Sequence, residues 1–158
     1  MLDHVSITVS DLAAAERFYD AIMKALDVVK VGRSDRWLGY GERADAQYPD
    51  RVCIAIHRGA KPDEASSRHW CFKAKSRNEV DAFWRAGIAA GGADDGQPGL
   101  RHYHAAYYGA FPARSQWQQD RGGVPPGGVG RGLSAGFDPT SLTQTENRWR
   151  GAGSASCS

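Results

Sequence analysis

Apolar residues recur with two different periods in the first thirty residues of the chain. From Val5 to Val9 every second residue is apolar, and polar residues beginning at His4 lie between them. A period of two is typical of a β-strand with one apolar face. Ser10 can then cap a helix, because apolar residues recur at helical spacing over 12–26. Shorter strand candidates follow over residues 28–31, 37–40 and 51–57, which completes a predicted β-α-β-β-β unit.

The same pattern begins again 65 residues further along the chain. In the stretch RHWCFKAKSRNEVDAFW, alternate residues from Trp70 to Ala74 are apolar, and Ser76 with Glu79 forms the S-x-x-E capping box of a second helix. Four pairs of residues correspond at this offset: His4 and His69, Ile7 and Phe72, Phe18 and Phe83, and Tyr19 and Trp84. We interpret the chain as an internal duplication of a βαβββ unit, and we predict an α+β fold.

The two histidines at equivalent positions are the first candidate for function. His4 and His69 lie on the polar face of their strands, away from the predicted helices. A single strand histidine is more often structural than a ligand. Two at equivalent places in a duplicated unit favour a shared role, because paired, curved sheets would bring them together in one cavity.

The second unit lacks the ending of the first. After HYHAAYYGAF the chain continues PARSQWQQDRGG, which has no alternation, and Gly and Pro crowd the place of the expected last strand. We therefore expect an incomplete second module, an unpaired sheet edge, an uncovered core and an irregular, disordered tail over residues 112–158.

The genetic code suggests a cause for this change. Reading the codons of residues 112–125 one base later permits Leu-Arg-Asp-Pro-Asn-Gly-Asn-Arg-Ile-Glu-Ala-Val-Cys-His, and the glycine is forced by the Trp117 and Gln118 codons. That peptide contains a turn signal followed by a strand. We hypothesise that the chain is out of frame from about Pro112. The rival interpretation is a natural glycine-rich extension, which could also act as an interaction arm.

Charge and cysteine content restrict the partners. The formal net charge is +2, and the five arginines and three acidic residues after Phe111 account for all of it. A neutral first part argues against a nucleic-acid or anionic membrane partner.

Cys53 and Cys71 lie in apolar runs without a C-x-x-C spacing. We expect reduced, buried thiols and, with no signal peptide or membrane-length apolar run, a cytoplasmic protein.

Over residues 1–111 the sequence resembles the vicinal oxygen chelate superfamily, which includes glyoxalase I, extradiol dioxygenases, fosfomycin-resistance enzymes and bleomycin-binding proteins. The stretches that carry the resemblance are LDHVSITVSDLAAAERFYDAIMKALDV, RHWCFKA, VDAFWRAGIAAGG and GLRHYHAAYYGAF. It implies one domain over 1–111 with modules at about 1–60 and 66–111, which pair to form a cupped mixed sheet. The usual ending D-P-x-G-x-x-I-E is present only in the shifted reading.

The resemblance also implies a metal site. His4 and His69 match the two first-strand ligands, and the glutamate expected as third ligand falls where Arg121 stands. Two histidines and a carboxylate suit a divalent ion such as Fe, Mn, Ni or Zn. Arginine has no acceptor and cannot replace the carboxylate. A fourth, glyoxalase-type ligand would fall at Cys53, for which a buried structural role is the favoured interpretation.

The function that the resemblance implies is a metal-dependent lyase, isomerase or dioxygenase acting on a small oxygen-chelating substrate, with its activity impaired in this chain. The alternative is a metal-free drug-binding protein of the bleomycin-resistance type. The resemblance also makes a homodimer an expectation. Aromatic and histidine residues near the expected cavity are candidates for its lining: Trp37, Tyr40, His102, His104 and Tyr107. The sequence identifies no catalytic acid or base.

Overall fold

The computed structural model describes residues 3–49, 51–60, 70–103, 106–113 and 133–137. They form two compact units, one from the described residues up to 60 and one from those starting at 70. The elements are β1 (His4–Val9), α1 (Leu12–Ala25), β2 (Lys30–Arg33), β3 (Trp37–Gly41), β4 (Cys53–Arg58), β5 (Trp70–Lys73), α2 (Arg77–Ala89), β6 (Ala93–Asp94), β7 (Gly99–Leu100), β8 (Tyr108–Ala110), β9 (Pro112–Ala113) and β10 (Leu133–Phe137).

The first unit is a four-stranded mixed sheet with one helix against it. Its strand order is β1-β4-β3-β2; β1 and β4 are parallel and the other pairs are antiparallel. The helix begins one residue later than expected, because Asp11 rather than Ser10 is the cap, and its side chain accepts a hydrogen bond from Ala14 N at 2.9 Å. The chain leaves α1 through Asp27, which has a φ of 57°.

The apolar residues of β1 and α1 form the core of this unit, as their periods predict. Alternate residues of β1 are buried, and the buried residues of α1 lie on one stripe. The residues concerned are Val5, Ile7, Val9, Ala15, Phe18, Tyr19, Ile22 and Met23. One face of the sheet is therefore covered by α1, and the polar residues of β1 are on the other.

The second unit repeats this arrangement. Its sheet has the order β5-β10-β8-β7, with β5 and β10 parallel. The predicted cap of α2 is confirmed: the Ser76 hydroxyl accepts a hydrogen bond from Glu79 N at 3.2 Å, while the Glu79 carboxylate accepts one from Lys75 N at 2.5 Å. The α+β fold of paired βαβββ modules is confirmed.

The expectation of an unpaired sheet edge and a missing last strand is wrong. Leu133–Phe137 forms β10, which lies between β5 and β8 in the place that β4 occupies in the first unit. Pro112–Ala113 also forms a short strand, paired with β6. Burial explains the strand at 133–137: Leu133 and Ala135 are fully buried, and a small apolar segment suffices to close the sheet. The remainder of 112–158 lies outside the described residues.

Within the described part of the chain, no helix is long and apolar enough to cross a membrane.

Candidate functional site

The open face of the first sheet, opposite α1, has a floor of small residues. Residues directly opposite on neighbouring strands share a face, so the register defines three rows. The rows are His4, Cys53 and Gly41; Ser6, Ala55 and Gly39; and Thr8, His57 and Trp37. The middle row carries only small side chains, with His4 at one end of the face and His57 with Trp37 at the other.

His4 is the histidine of this face that the sequence singled out. Its side chain is 52% exposed, and its Nδ1 lies 2.8 Å from a carboxylate oxygen of Asp3. The other ring nitrogen, Nε2, has no hydrogen-bond partner among the described residues. His4 therefore presents one ring nitrogen that can bind a ligand or a metal ion.

Cys53 lies beside His4 in the register but offers no thiolate. It is 1% exposed and disulfide-bonded, so the expectation of a reduced thiol is wrong at this position. A thiolate is the form of cysteine that binds metal. The fourth, glyoxalase-type ligand is therefore not supplied by Cys53 in this structure.

Trp37 lies flat on the open face, because two glycines leave room for its ring. A Cβ at Gly32 or at Gly39 would overlap the indole. His57 is directly opposite Trp37 in the register and is exposed. Trp37 therefore has a position that suits a pocket residue, on the same face as His4.

Tyr40, the other pocket candidate of this unit, points to the helix side. It is 2% exposed, its ring centroid lies 6.2 Å from that of Tyr19, and its hydroxyl donates to Asp20 at 2.7 Å. Burial and then the hydrogen bond to Asp20 raise the pKa of the Tyr40 hydroxyl. Tyr40 alternates with the open-face residues of β3, so it packs between the sheet and α1.

Tyr107 lies against the glycines of the second sheet. A Cβ at Gly136 would overlap the phenol, and the Tyr107 hydroxyl is 3.1 Å from Cys71 Sγ. Burial and then the hydrogen bond with Cys71 raise the pKa of the Tyr107 hydroxyl. Cys71 is not disulfide-bonded and is exposed, so the expectation of a buried thiol is wrong there. The reason is that Cys71 lies on the face of β5 opposite Phe72, which packs against Phe83 of α2.

The remaining candidates are less informative. His102 is an exposed residue of the turn that follows β7. His69, His104 and Arg121 lie outside the described residues. In the described ranges, no group of three or more His, Cys, Asp or Glu side chains is placed to hold a metal ion.

Solved structures with a similar fold include a glyoxalase/bleomycin resistance protein from Albidiferax ferrireducens T118. It is 26% identical, with a TM-score of 0.64, over 88% of this chain and 99% of that one. A glyoxalase/bleomycin resistance protein/dioxygenase family enzyme from Burkholderia phytofirmans PsJN is 17% identical, with a TM-score of 0.55, over 85% of this chain and 96% of that one. The chain has the fold of the vicinal oxygen chelate superfamily, which the sequence resemblance implied.

A glyoxalase-related enzyme from Fulvimarina pelagi shares the fold at 16% identity and a TM-score of 0.57, over 88% of each chain. No family model and no curated protein sequence matches the chain. Residues 1–111 are about seven-tenths of the chain. Aligned shares of 85–88% therefore include part of the chain after Phe111.

Two contacts near the candidate residues are absent from the sequence interpretation. The sequence interpretation does not include Asp3, although an acidic residue next to a candidate histidine ligand can indicate a hydrogen-bond partner for that histidine. The contact between Cys71 and Tyr107 joins residues 36 positions apart, and no local pattern indicates it.

Proposed function

We propose that this chain carries the site of a metal-dependent enzyme of the superfamily, acting on a small oxygen-chelating substrate, and that the site lacks one ligand. The observation that supports the proposal is His4, which is exposed on the face that α1 leaves open and has Nε2 available. Ser6 of the middle row is exposed beside it, whereas Ala55 and Gly39 are buried and the Trp37 ring covers Gly39.

The donor set fits a divalent ion incompletely. His4 is a suitable donor, and His69 is the second donor by resemblance. Arg121, at the place of the expected carboxylate, has no acceptor, and the sulfur of Cys53 is held in a disulfide. Two neutral imidazoles hold first-row divalent ions less firmly than two imidazoles and a carboxylate. We therefore propose weak metal binding and impaired turnover for this chain.

Metal content, measured by elemental analysis on two proteins, tests the proposal. One protein is the present chain, and the other has residues 112–125 replaced by the peptide of the shifted reading. We expect about one Fe, Mn, Ni or Zn per restored chain and much less in the present chain. A third protein, the restored chain with His4→Gln, should lose the metal. Equal metal content with and without His4 would overturn the proposal.

A second candidate is a metal-free protein that binds a small molecule in the same place. The missing third donor favours it, because a binding protein needs the floor and the aromatic ring of Trp37 but no ligand set. If neither the present nor the restored chain retains metal, this candidate replaces the first. Binding of bleomycin, measured by calorimetry on the present chain and on Trp37→Ala, would then be the next experiment.

A further inference from the structure

Asp3 is held at the start of the first sheet by its main chain. Its carbonyl oxygen accepts a hydrogen bond from Cys53 N at 3.2 Å, which continues the ladder between β1 and β4 one residue before β1 begins. Neighbouring residues inside a strand point to opposite faces. Asp3 precedes the strand, and its carboxylate turns towards the ring of His4.

The contact between the two side chains determines which ring nitrogen carries hydrogen. An ionised carboxylate can only accept, and its oxygen lies 2.8 Å from Nδ1 of His4. Nδ1 must therefore be the donor. In the neutral imidazole the lone pair is then on Nε2, the nitrogen that has no partner among the described residues.

We propose that Asp3 is a positioning residue, which fixes the tautomer and the orientation of His4 so that the Nε2 lone pair faces the open side of the sheet. The inference rests on the proposed metal-binding role of His4. Histidines that bind metals commonly donate their other ring N–H to a carboxylate, which fixes the ring and makes the ligand more basic. Asp3 would do this for His4.

The tautomer of His4 can be measured in the metal-free protein, with no reference to activity. Long-range nitrogen–proton correlation spectra at about pH 8, where an ordinary imidazole is neutral, report which ring nitrogen is protonated. His4→Gln identifies the His4 signals among those of the five histidines. We expect the Nδ1–H tautomer in the present chain and a shift towards Nε2–H in Asp3→Ala. An Nε2–H tautomer in the unmodified chain would overturn the inference.

A matched variant separates this contact from a general loss of charge. Asp35 is an exposed carboxylate in the turn between β2 and β3, so Asp35→Ala makes the same change of charge at a site away from β1. We expect Asp35→Ala to leave the tautomer of His4 unchanged. A shift of equal size in both variants would show that Asp3 acts through net charge alone, and would contradict a positioning role.

A zinc titration followed on the same ring signals tests the purpose of the contact. Loss of a carboxylate partner of a ligand typically weakens metal binding about 10- to 100-fold, and we expect that loss for Asp3→Ala but not for Asp35→Ala. Where the present chain binds zinc, an equal zinc affinity of Asp3→Ala would overturn the positioning role. If His4 shows the Nδ1–H tautomer but its signals respond to zinc in neither the present nor the restored chain, the inference about the tautomer stands and the proposed function fails.

Discussion

Gly41 is a residue whose conformation and surroundings both require glycine. Its φ is +86°, and an added Cβ would lie 2.5 Å from the carbonyl oxygen of Val52. Gly91 has a similar φ of +89° but no atom within 4 Å of an added Cβ. Comparing substitutions at the two glycines therefore separates the cost of a left-handed backbone conformation from the cost of steric overlap.

The first prediction compares alanine at these two glycines. Gly91→Ala should lower the free energy of unfolding by about 1 kcal/mol, because only the left-handed conformation is penalised. Gly41→Ala should cost about 2 kcal/mol or more, since the Cβ also meets backbone that cannot rotate away. Urea unfolding of both variants measures the difference. Equal losses would show that the loop before β4 moves freely enough to accept a side chain.

The sequence could predict the face of the sheet on which His4 lies but not its hydrogen-bond partner. Alternation within β1 places a residue on a face without any tertiary information, so the exposure of His4 follows from the pattern. The contact with Asp3 depends on the rotamers of two side chains at a strand end, which no periodicity specifies. The same limit applies to Tyr40: its strand was predicted, but the face of the strand that α1 covers decides its role.

At the scale of elements, ion pairs connect α1 to β2. Glu16 lies 2.6 Å from Lys30 and 2.8 Å from Arg33, and Lys30 also lies 3.0 Å from Asp20. Hydrogen bonds from Arg33 and then Lys30 lower the pKa of the Glu16 carboxyl below its usual value of 4.5. A carboxyl whose pKa is lowered by folding stabilises the protein above the unfolded pKa, and this stability is lost as the pH falls through the folded pKa.

The second prediction follows from the lowered pKa of the Glu16 carboxyl. Glu16→Gln should lower the free energy of unfolding at pH 7 by about 0.5–1 kcal/mol, since pairs near the surface are worth little individually. The difference from the unmodified protein should shrink once the pH falls below about 4.5. Urea unfolding at pH 7 and at the lowest pH that keeps the fold measures it. A difference that is the same at both pH values would show that the charge of the Glu16 carboxylate is not responsible.

The third prediction concerns the start of α2. Ser76→Ala removes the acceptor for Glu79 N and should lower the free energy of unfolding by about 1 kcal/mol. Ser76→Asp is the matched variant, because an aspartate cap also accepts from this N–H and suits the positive end of the helix dipole. Chemical unfolding should therefore place Ser76→Asp close to the unmodified protein. A loss as large as that of alanine would indicate that the Lys75 N–H bond to Glu79 depends on the serine itself.

At the scale of the whole molecule, most of the fold could be predicted because the sequence repeats one βαβββ unit. The spacing of apolar residues predicts the strands and helix of the unit from 4 to 58. The repeat of that spacing predicts the second unit as far as α2. The strand at Leu133–Phe137 could not be predicted, because Gly and Pro around it mask the alternation and its partner β5 is some sixty residues earlier. A five-residue segment with the small residues Ser134, Ala135 and Gly136 at its centre has too weak a pattern to predict a strand on its own.

The hypothesis of a shifted reading frame stays a prediction, and it has a direct measurement. The shifted peptide and the present one differ at every position over residues 112–125, so the intact mass of the protein from its native source differs between the two. We expect the mass of a chain with the shifted peptide. The mass of the present 158 residues would show that the extension is genuine, and β10 would then be its natural contribution to the second sheet.

The contribution of β10 can be tested in the present chain by placing a charge in its buried position. Leu133 is fully buried and pairs with Trp70, and β10 is the one neighbour of β5 in its sheet among the described strands. Leu133→Asp should lower the free energy of unfolding by about 3 kcal/mol, because it combines a lost apolar side chain with a buried charge. Hydrogen exchange of the β5 amides should be faster in Leu133→Asp, while hydrogen exchange of the β1 amides serves as an internal reference.

Leu100→Asp is the control, since Leu100 is 64% exposed and the same change there should cost less than about 0.5 kcal/mol. Equal losses of unfolding free energy in the two variants would show that residues 133–137 do not close the second sheet in solution. That result would support the interpretation of the residues after Phe111 as a tail without evolved structure.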